Sequence, residues 1–457
     1  MTIINLLYAI IFPIFLGCVP LSWLFPGRGV LPFYVRLALG WGIGTIMLTL
    51  SMSCLGILGI EYSVLKITLV WLPLILLGLF IARQKKLILI DAGSFGRIGG
   101  TSAVEKILIT ALLLKVFYVF YEALIKPVVA WDSWAYWILM AKIFFVERLA
   151  TPAFASLTRG GTQPWHMPLL NTWIFLNLGN FNDVLSKVIY PIYFVSLLLI
   201  FYAFMRRKME RVLALLFSFL LTTLPLYFYH ASISYADSIV AFYACAGFVL
   251  LWSYFDERKE SFFILSLLFM MFSILVKKQG YLYFMSWSMI AMAFVFVTRP
   301  DIYGIQFNKY FKYLVSTIGI LSIPVLYVFF MFMGAGRISL VPHIDRIPTI
   351  LSIFFNKLFM MGNWNIAWFA FVLVAALLFY RFYRSSLVYL FSAIVLNLLL
   401  LILLFTFSSE EIYGWLVNGT VLNRYLVQFT PLIVFFIGIA YNSSNNEKIG
   451  DTGKASG

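Results

Sequence analysis

The stretch YPIYFVSLLLIFYAFMRRKMER, residues 190–211, decides the fold. Its apolar part belongs to a run over 184–205, and it ends in a cluster of basic residues. A run of about 20 apolar residues is long enough to cross a ~30 Å hydrocarbon core as a helix. Inside a bilayer no water satisfies backbone amides, so a crossing segment must be helical unless strands close into a barrel. No alternating strand pattern is seen here. The basic cluster fixes a side, because Lys and Arg collect in cytoplasmic loops.

The same pattern repeats from end to end. The 457 residues are 63% hydrophobic and 11% charged, with a mean hydropathy of +0.97. Soluble domains carry roughly 25% charged residues, so the composition excludes a soluble globular protein. About thirteen spans are expected: 3–24, 34–58, 63–82, 105–125, 184–205, 212–229, 238–254, 261–276, 280–297, 313–333, 365–381, 387–407 and 422–441. The shorter apolar piece 168–180 must dip in without crossing if the loop at 206–211 is to be cytoplasmic. The first 25 residues lack a basic leader and a small-residue cleavage site, and read as a retained span. The fold class is thus an all-α, polytopic transmembrane helix bundle with its N-terminus outside and an interfacial helix over 133–148 in the first large outer loop. Four regions follow: a three-span region over 1–100, a central module over 101–300, further helices over 301–441, and a disordered cytoplasmic tail over 442–457.

The net charge of +15 is scattered through short loops and forms no basic stripe, which argues against nucleic acid as a partner. Cys18, Cys54 and Cys245 fall inside apolar spans without paired spacing, so they suggest neither a disulfide nor a metal site.

The polar residues gather on one side. On this topology His166, His230, His343, Asp132, Asp237, Asp345, Glu410 and Glu411 all lie in outer loops. Lys277, Lys278 and Arg424 sit near the outer ends of spans. Lys115 is the clear mid-span charge. Ion-coupled transporters keep carboxylates near the midplane, and no acidic residue lies near the middle of a span here. One-sided ionisable groups suit chemistry on a membrane-tethered substrate instead. A carboxylate there can act as a general base or hold a divalent cation. Lys and Arg can hold a lipid-linked phosphate, and no P-loop or Gly-rich nucleotide fingerprint competes with that reading.

Four pieces carry a resemblance to a family. WDSWAYW supplies Asp132, followed four residues on by Tyr136. WHMPLL supplies His166 and Pro168 at the entry to a short apolar piece. SYADS supplies Tyr235 and Asp237 at the start of a span. VKKQG and NRYLVQFTP supply Lys277, Lys278, Arg424 and Tyr425. In order and spacing this set resembles the GT-C fold glycosyltransferases, a group that includes protein O-mannosyltransferases and aminoarabinose transferases. The resemblance covers roughly 105–300 and 420–432. It implies transfer of a sugar from a polyprenyl-phosphate-linked donor to a glycan, lipid or protein acceptor at the outer face of a prokaryotic plasma membrane. Asp132 would be the general base of an inverting displacement. Asp237, with His166 or His230, would position substrate or a divalent metal ion, for which Asp132, Asp237 and His166 are the candidate ligands. Lys277, Lys278 and Arg424 would cradle the donor phosphate, and Tyr136, Tyr235 and Tyr425 would line the substrate. The family often has two adjacent acids where this chain has Asp132 and Ser133, which weakens a two-carboxylate metal site.

Plainer roles stand beside these. Asp132 can cap a helix, the histidines can be interfacial hydrogen-bonders, and Lys277 and Lys278 can snorkel to headgroups. A polysaccharide polymerase or ligase, which would lean on outer-loop arginines such as Arg337 and Arg346, and a lipid or solute transporter are the competing functions.

Overall fold

A computed structural model describes residues 2–27, 30–85, 101–157, 163–297 and 341–454. Among these, all regular structure is helical. Eight helices are long and apolar enough to cross a membrane, and they mark the chain as a membrane protein. They are α1 (Thr2–Leu24), α2 (Phe33–Ile57), α3 (Val64–Gln84), α4 (Ala103–Ile125), the stretch Asp183–Arg206, α11 (Asp237–Glu257), α16 (Leu387–Thr406) and Leu422–Asn442. Four shorter apolar helices join them: Ser133–Val146, α9 (Arg211–Thr222), α12 (Glu260–Val276) and α15 (Ala367–Phe382). The remaining elements include α5 (Ile138–Val146), α6 (His166–Leu178), α7 (Asp183–Ser186), α8 (Ile189–Arg206), α10 (Pro225–His230), α13 (Gly280–Val297), α14 (Ile347–Phe355), α17 (Glu410–Val417) and α18 (Leu422–Lys454). Helix α18 runs on to Lys454, and the expected span 313–333 lies outside the described residues.

The chain packs as two units. The first runs to Ala246 and includes Leu275–Lys278; the second comprises Gly247–Ile274 and the chain from Gln279 on. In the first unit α1 and α2 approach closely, because three glycines meet. A Cβ on Gly44 would stand 1.7 Å from the Pro13 carbonyl oxygen, and one on Gly17 would stand 2.0 Å from that of Gly40. Without a hydrophobic drive between helices in lipid, such small-residue contacts let backbones approach and gain dispersion.

The expected span 212–229 is broken. Leu224 leaves the helical region at φ −66°, ψ 110°, and Pro225 opens α10. Proline lacks an N–H and excludes helical geometry from the residue before it. Thr222 and Thr223 donate their hydroxyls to Phe219 and Leu220 carbonyls at 2.7 Å each, satisfying the end of α9. Lys115, whose partner the sequence leaves unnamed, sets its ammonium 4.5 Å from the Phe228 ring centre on α10.

Contacts between loops follow the expected alternation. In the first unit Arg207 donates to the Val30 carbonyl, and Arg211 lies 3.7 Å from Glu105, both pairs joining loops expected inside. Tyr62 N–H donates to Arg148 O at 2.6 Å, and Val128 N–H to the Asp183 carboxylate at 2.9 Å, joining loops expected outside. Helix α6 spans about 20 Å at 1.5 Å per residue. Gln163, just before it, accepts from Tyr136, and Asp183, just after it, accepts from Val128. Both flanks therefore bond to segments expected on one side, as they must if the helix enters and returns. In the second unit His343 N–H donates to Thr406 O at 3.0 Å and Ser386 Oγ to Asp256 at 3.3 Å, each again within one expected side.

Candidate functional site

The site in the first unit is built around the start of α11. Asp237 occupies its first turn, where the helix dipole favours an anion, and the residue has no exposed surface. Lys277 follows the last residue of α12, where unsatisfied carbonyls favour a cation. Its Nζ donates to Asp237 Oδ1 at 2.8 Å, with only 6% of its side chain exposed. His230 Nδ1 stands 4.0 Å from Asp237 Oδ2. The His230 ring packs edge-on against Tyr235, centres 5.7 Å apart. A buried carboxylate thus faces one ammonium and one imidazole.

Two links tie neighbouring candidates to this cluster. Ser133 is fully buried, and its hydroxyl donates to the Ser234 carbonyl in the turn before Asp237. Ser133 therefore holds the Asp132 segment against the Asp237 turn. Tyr136 donates its hydroxyl to the Gln163 carbonyl at 2.9 Å, and the Gln163 side-chain oxygen accepts from Lys278 N–H at 3.4 Å. Burial pushes the Tyr136 phenol above its ordinary range, so the hydroxyl is a proton donor at neutral pH.

Asp132 is half-buried with helical backbone angles, φ −63° and ψ −33°, and makes no capping hydrogen bond with its side chain. Capping is therefore not its role. Trp131 and Trp134 flank it, both exposed, with ring centres 5.0 Å apart.

His166 belongs to a different network. Its Nδ1 lies 2.8 Å from Thr49 Oγ1 and its Nε2 3.2 Å from the Tyr193 hydroxyl. Tyr193 continues to Thr45 Oγ1 at 2.7 Å, and Tyr243 donates to Gly42 O at 2.8 Å. Thr45 can donate to the Trp41 carbonyl at 2.9 Å and so accept from Tyr193. A neutral imidazole donates through one ring nitrogen and accepts through the other, which suits a place between the Thr49 and Tyr193 hydroxyls. Burial pushes the His166 pKa down to about 3.

Arg424 and Tyr425 belong to the second unit, in the first turn of α18. Arg424 is half-buried; Tyr425 is buried, and its carbonyl accepts from the Tyr283 hydroxyl at 3.2 Å. Among the described residues no three His, Cys, Asp or Glu side chains gather as a metal ion would require.

Sequence reasoning reaches most of the cluster by residue type but misses Gln163, Ser133 as a tether, and Thr45, Thr49, Tyr193 and Tyr243. Gln163 had a faint signal, a lone amide three residues before His166 in a Pro-containing loop. Comparison with known proteins finds no matching family model, no matching curated protein and no matching solved structure.

Proposed function

We propose that this chain is a GT-C-type membrane glycosyltransferase, moving a sugar from a polyprenyl-phosphate donor to an acceptor hydroxyl at the outer face. The observation that carries the reading is the buried Asp237–Lys277 pair, with His230 beside it, tethered through Ser133 and Ser234 to the segment bearing Asp132. In this reading Asp132 takes the proton from the acceptor hydroxyl as its oxygen bonds to the anomeric carbon. The bond from that carbon to the phosphate oxygen breaks, and polyprenyl phosphate leaves with the electron pair, inverting the centre. Lys277 is engaged by Asp237; Lys278, half-buried in the same turn, is a cation this reading assigns to the donor phosphate.

The polymerase alternative loses one of its arginines. Arg346 is buried, donates to Ser408 O at 2.8 Å, pairs with Glu410 and lies 4.4 Å from the Tyr413 ring centre; Arg337 lies outside the described residues. A coupled transporter is the second reading, favoured by the same buried ion pair, since such pairs also serve proton relays.

The test uses the full chain in nanodiscs, wild type beside Asp132→Asn, with a panel of polyprenyl-phosphate sugars and release of free polyprenyl phosphate as readout. Loss of a general base should slow release by about 10²–10⁴-fold. Equal release by both proteins would remove Asp132 from the role, and no release from any donor by wild type would sink the transferase reading.

A further inference from the structure

One helix of the second unit falls between the expected spans 313–333 and 365–381: α14 (Ile347–Phe355), continued by a π turn over Asn356–Met360. Together they are too short to cross a ~30 Å hydrocarbon core. Their side chains divide into three stripes at helical spacing. Arg346, Ile350, Phe354 and Leu358 are buried against the protein. Ile344, Pro348, Leu351 and Phe355 are apolar and exposed, Leu351 by 48% and Phe355 by 56%. Asp345, Thr349, Ser352 and Asn356 are polar and exposed. A helix lying between protein and water needs only two faces; the third, apolar and exposed, calls for a second apolar surrounding.

The helix lies across the end of a span rather than along it. His343 N–H, just before it, donates to Thr406 O at 3.0 Å in the last turn of α16, and the Phe354 ring centre stands 6.3 Å from that of Phe405 in the same turn. A helix running back along α16 would have carried Phe354 about 16 Å from that turn, at 1.5 Å per residue. The short α17 follows the same course. Arg346 donates to Ser408 O at 2.8 Å and pairs with Glu410 at one end; at the other, a Cβ on Gly419 would stand 2.9 Å from the Lys357 ammonium. The exposed apolar stripe also runs onto a membrane helix without a break. Ring centres of Phe355 and Phe359 are 5.3 Å apart and those of Phe359 and Phe369 5.0 Å, and Phe369 and Leu373 are exposed on α15.

From this geometry we infer that α14 is an interfacial anchor, bedding its Leu351–Phe355 stripe among the acyl chains of a phospholipid leaflet. Asp345, Thr349, Ser352 and Asn356 then face headgroups and water. A protein–protein contact is ringed by polar groups. The α14 stripe has a polar edge along one side and merges at its end with the apolar surface of α15, so lipid fits it better than a second copy of this chain. The inference does not depend on the transferase reading, because it concerns the second unit and is read without turnover.

Spin labelling of the full chain in phosphatidylcholine nanodiscs tests it. On a background of Cys18→Ser, Cys54→Ser and Cys245→Ser, nitroxides are attached singly by Thr349→Cys, Leu351→Cys, Phe355→Cys and Asn356→Cys, all exposed positions whose labels displace no packing. Collisions are measured with oxygen, which concentrates in lipid, and with a nickel chelate confined to water. The oxygen-to-nickel ratio at Leu351 and Phe355 should exceed that at Thr349 and Asn356 at least about fivefold, with both apolar positions at one depth, about 5–10 Å below the headgroups. High nickel collision at Leu351 and Phe355 would put the stripe in water, and low collision with both reagents would put protein over it; either overturns the inference. So does a depth difference of about 6 Å between Leu351 and Phe355, which four residues of a crossing helix would produce.

Discussion

Asp237 and Lys277 neutralise each other 2.8 Å apart, both buried. Removing one member of a buried pair strands a charge and costs about 3–5 kcal/mol, whereas replacing both with apolar or neutral groups is often near neutral. Asp237→Asn should therefore lower the unfolding midpoint in detergent sharply, and Asp237→Asn with Lys277→Met should recover most of it. A double variant no better than the single one would mean that the pair is not coupled. His166 gives a pH prediction. Its folded pKa, about 3, lies below the ordinary 6.5, so the unfolded chain binds the proton and the folded chain does not. The stabilisation is complete above pH 6.5 and falls as pH drops toward 3, by about 2 kcal/mol at pH 5. Thermal melts from pH 7 to 5 should show this slope in wild type and a flatter one in His166→Gln, which keeps an amide for Tyr193. Parallel slopes would show that His166 charges freely. These pairings were hidden in the sequence for a simple reason. Thr49 precedes His166 by 117 positions and Asp237 precedes Lys277 by 40, and no local pattern joins residues so far apart.

At the scale of elements, the glycines of α1 and α2 make a sharper statement than hydropathy does. A methyl group on Gly44 would overlap the Pro13 carbonyl, which is backbone and cannot swing aside. Gly44→Ala should force α1 away and cost about 1–3 kcal/mol, the range for overpacking. Gly414, in α17, has nothing within 4 Å of its would-be Cβ, so Gly414→Ala is the matched control and should be neutral or gain up to about 1 kcal/mol from helix propensity. Similar melting of the two variants would deny the close α1–α2 contact. Most spans were legible because a long apolar run between charged loops has little alternative to a helix. The break at Leu224 was legible in principle, since Pro225 interrupts the run, but hydropathy averages over it. The helical turn at Ser133–Trp137 closes with the wider π pattern; residue types alone do not announce that geometry.

At the scale of the whole molecule, alternation of spans and the side taken by each loop stand or fall together. Lys208 lies in a loop expected inside and Lys106 at the inner end of the span 105–125; loops expected outside carry Glu61 and Glu147. The hard case is α6, whose flanks bond to Tyr136 and Val128. If α6 returns to the side it left, exposed Asn180 shares a side with Glu61; if it crosses, Asn180 joins Lys106, and every later loop, that of Lys208 included, changes side. The measurement replaces Cys18, Cys54 and Cys245 with Ser and introduces single cysteines by Glu61→Cys, Glu147→Cys, Asn180→Cys, Lys106→Cys and Lys208→Cys. Each is exposed to a membrane-impermeant maleimide in intact cells and again after permeabilisation. Glu61, Glu147 and Asn180 variants should label in intact cells, and Lys106 and Lys208 variants only after permeabilisation. Labelling of the Asn180 variant only after permeabilisation, with the Lys208 variant now labelled in intact cells, would put α6 across the bilayer and move Asp237, Lys277 and His230 to the cytoplasmic side. A nucleotide-linked donor would then be within reach, and the argument for a polyprenyl-phosphate donor would lose its main support.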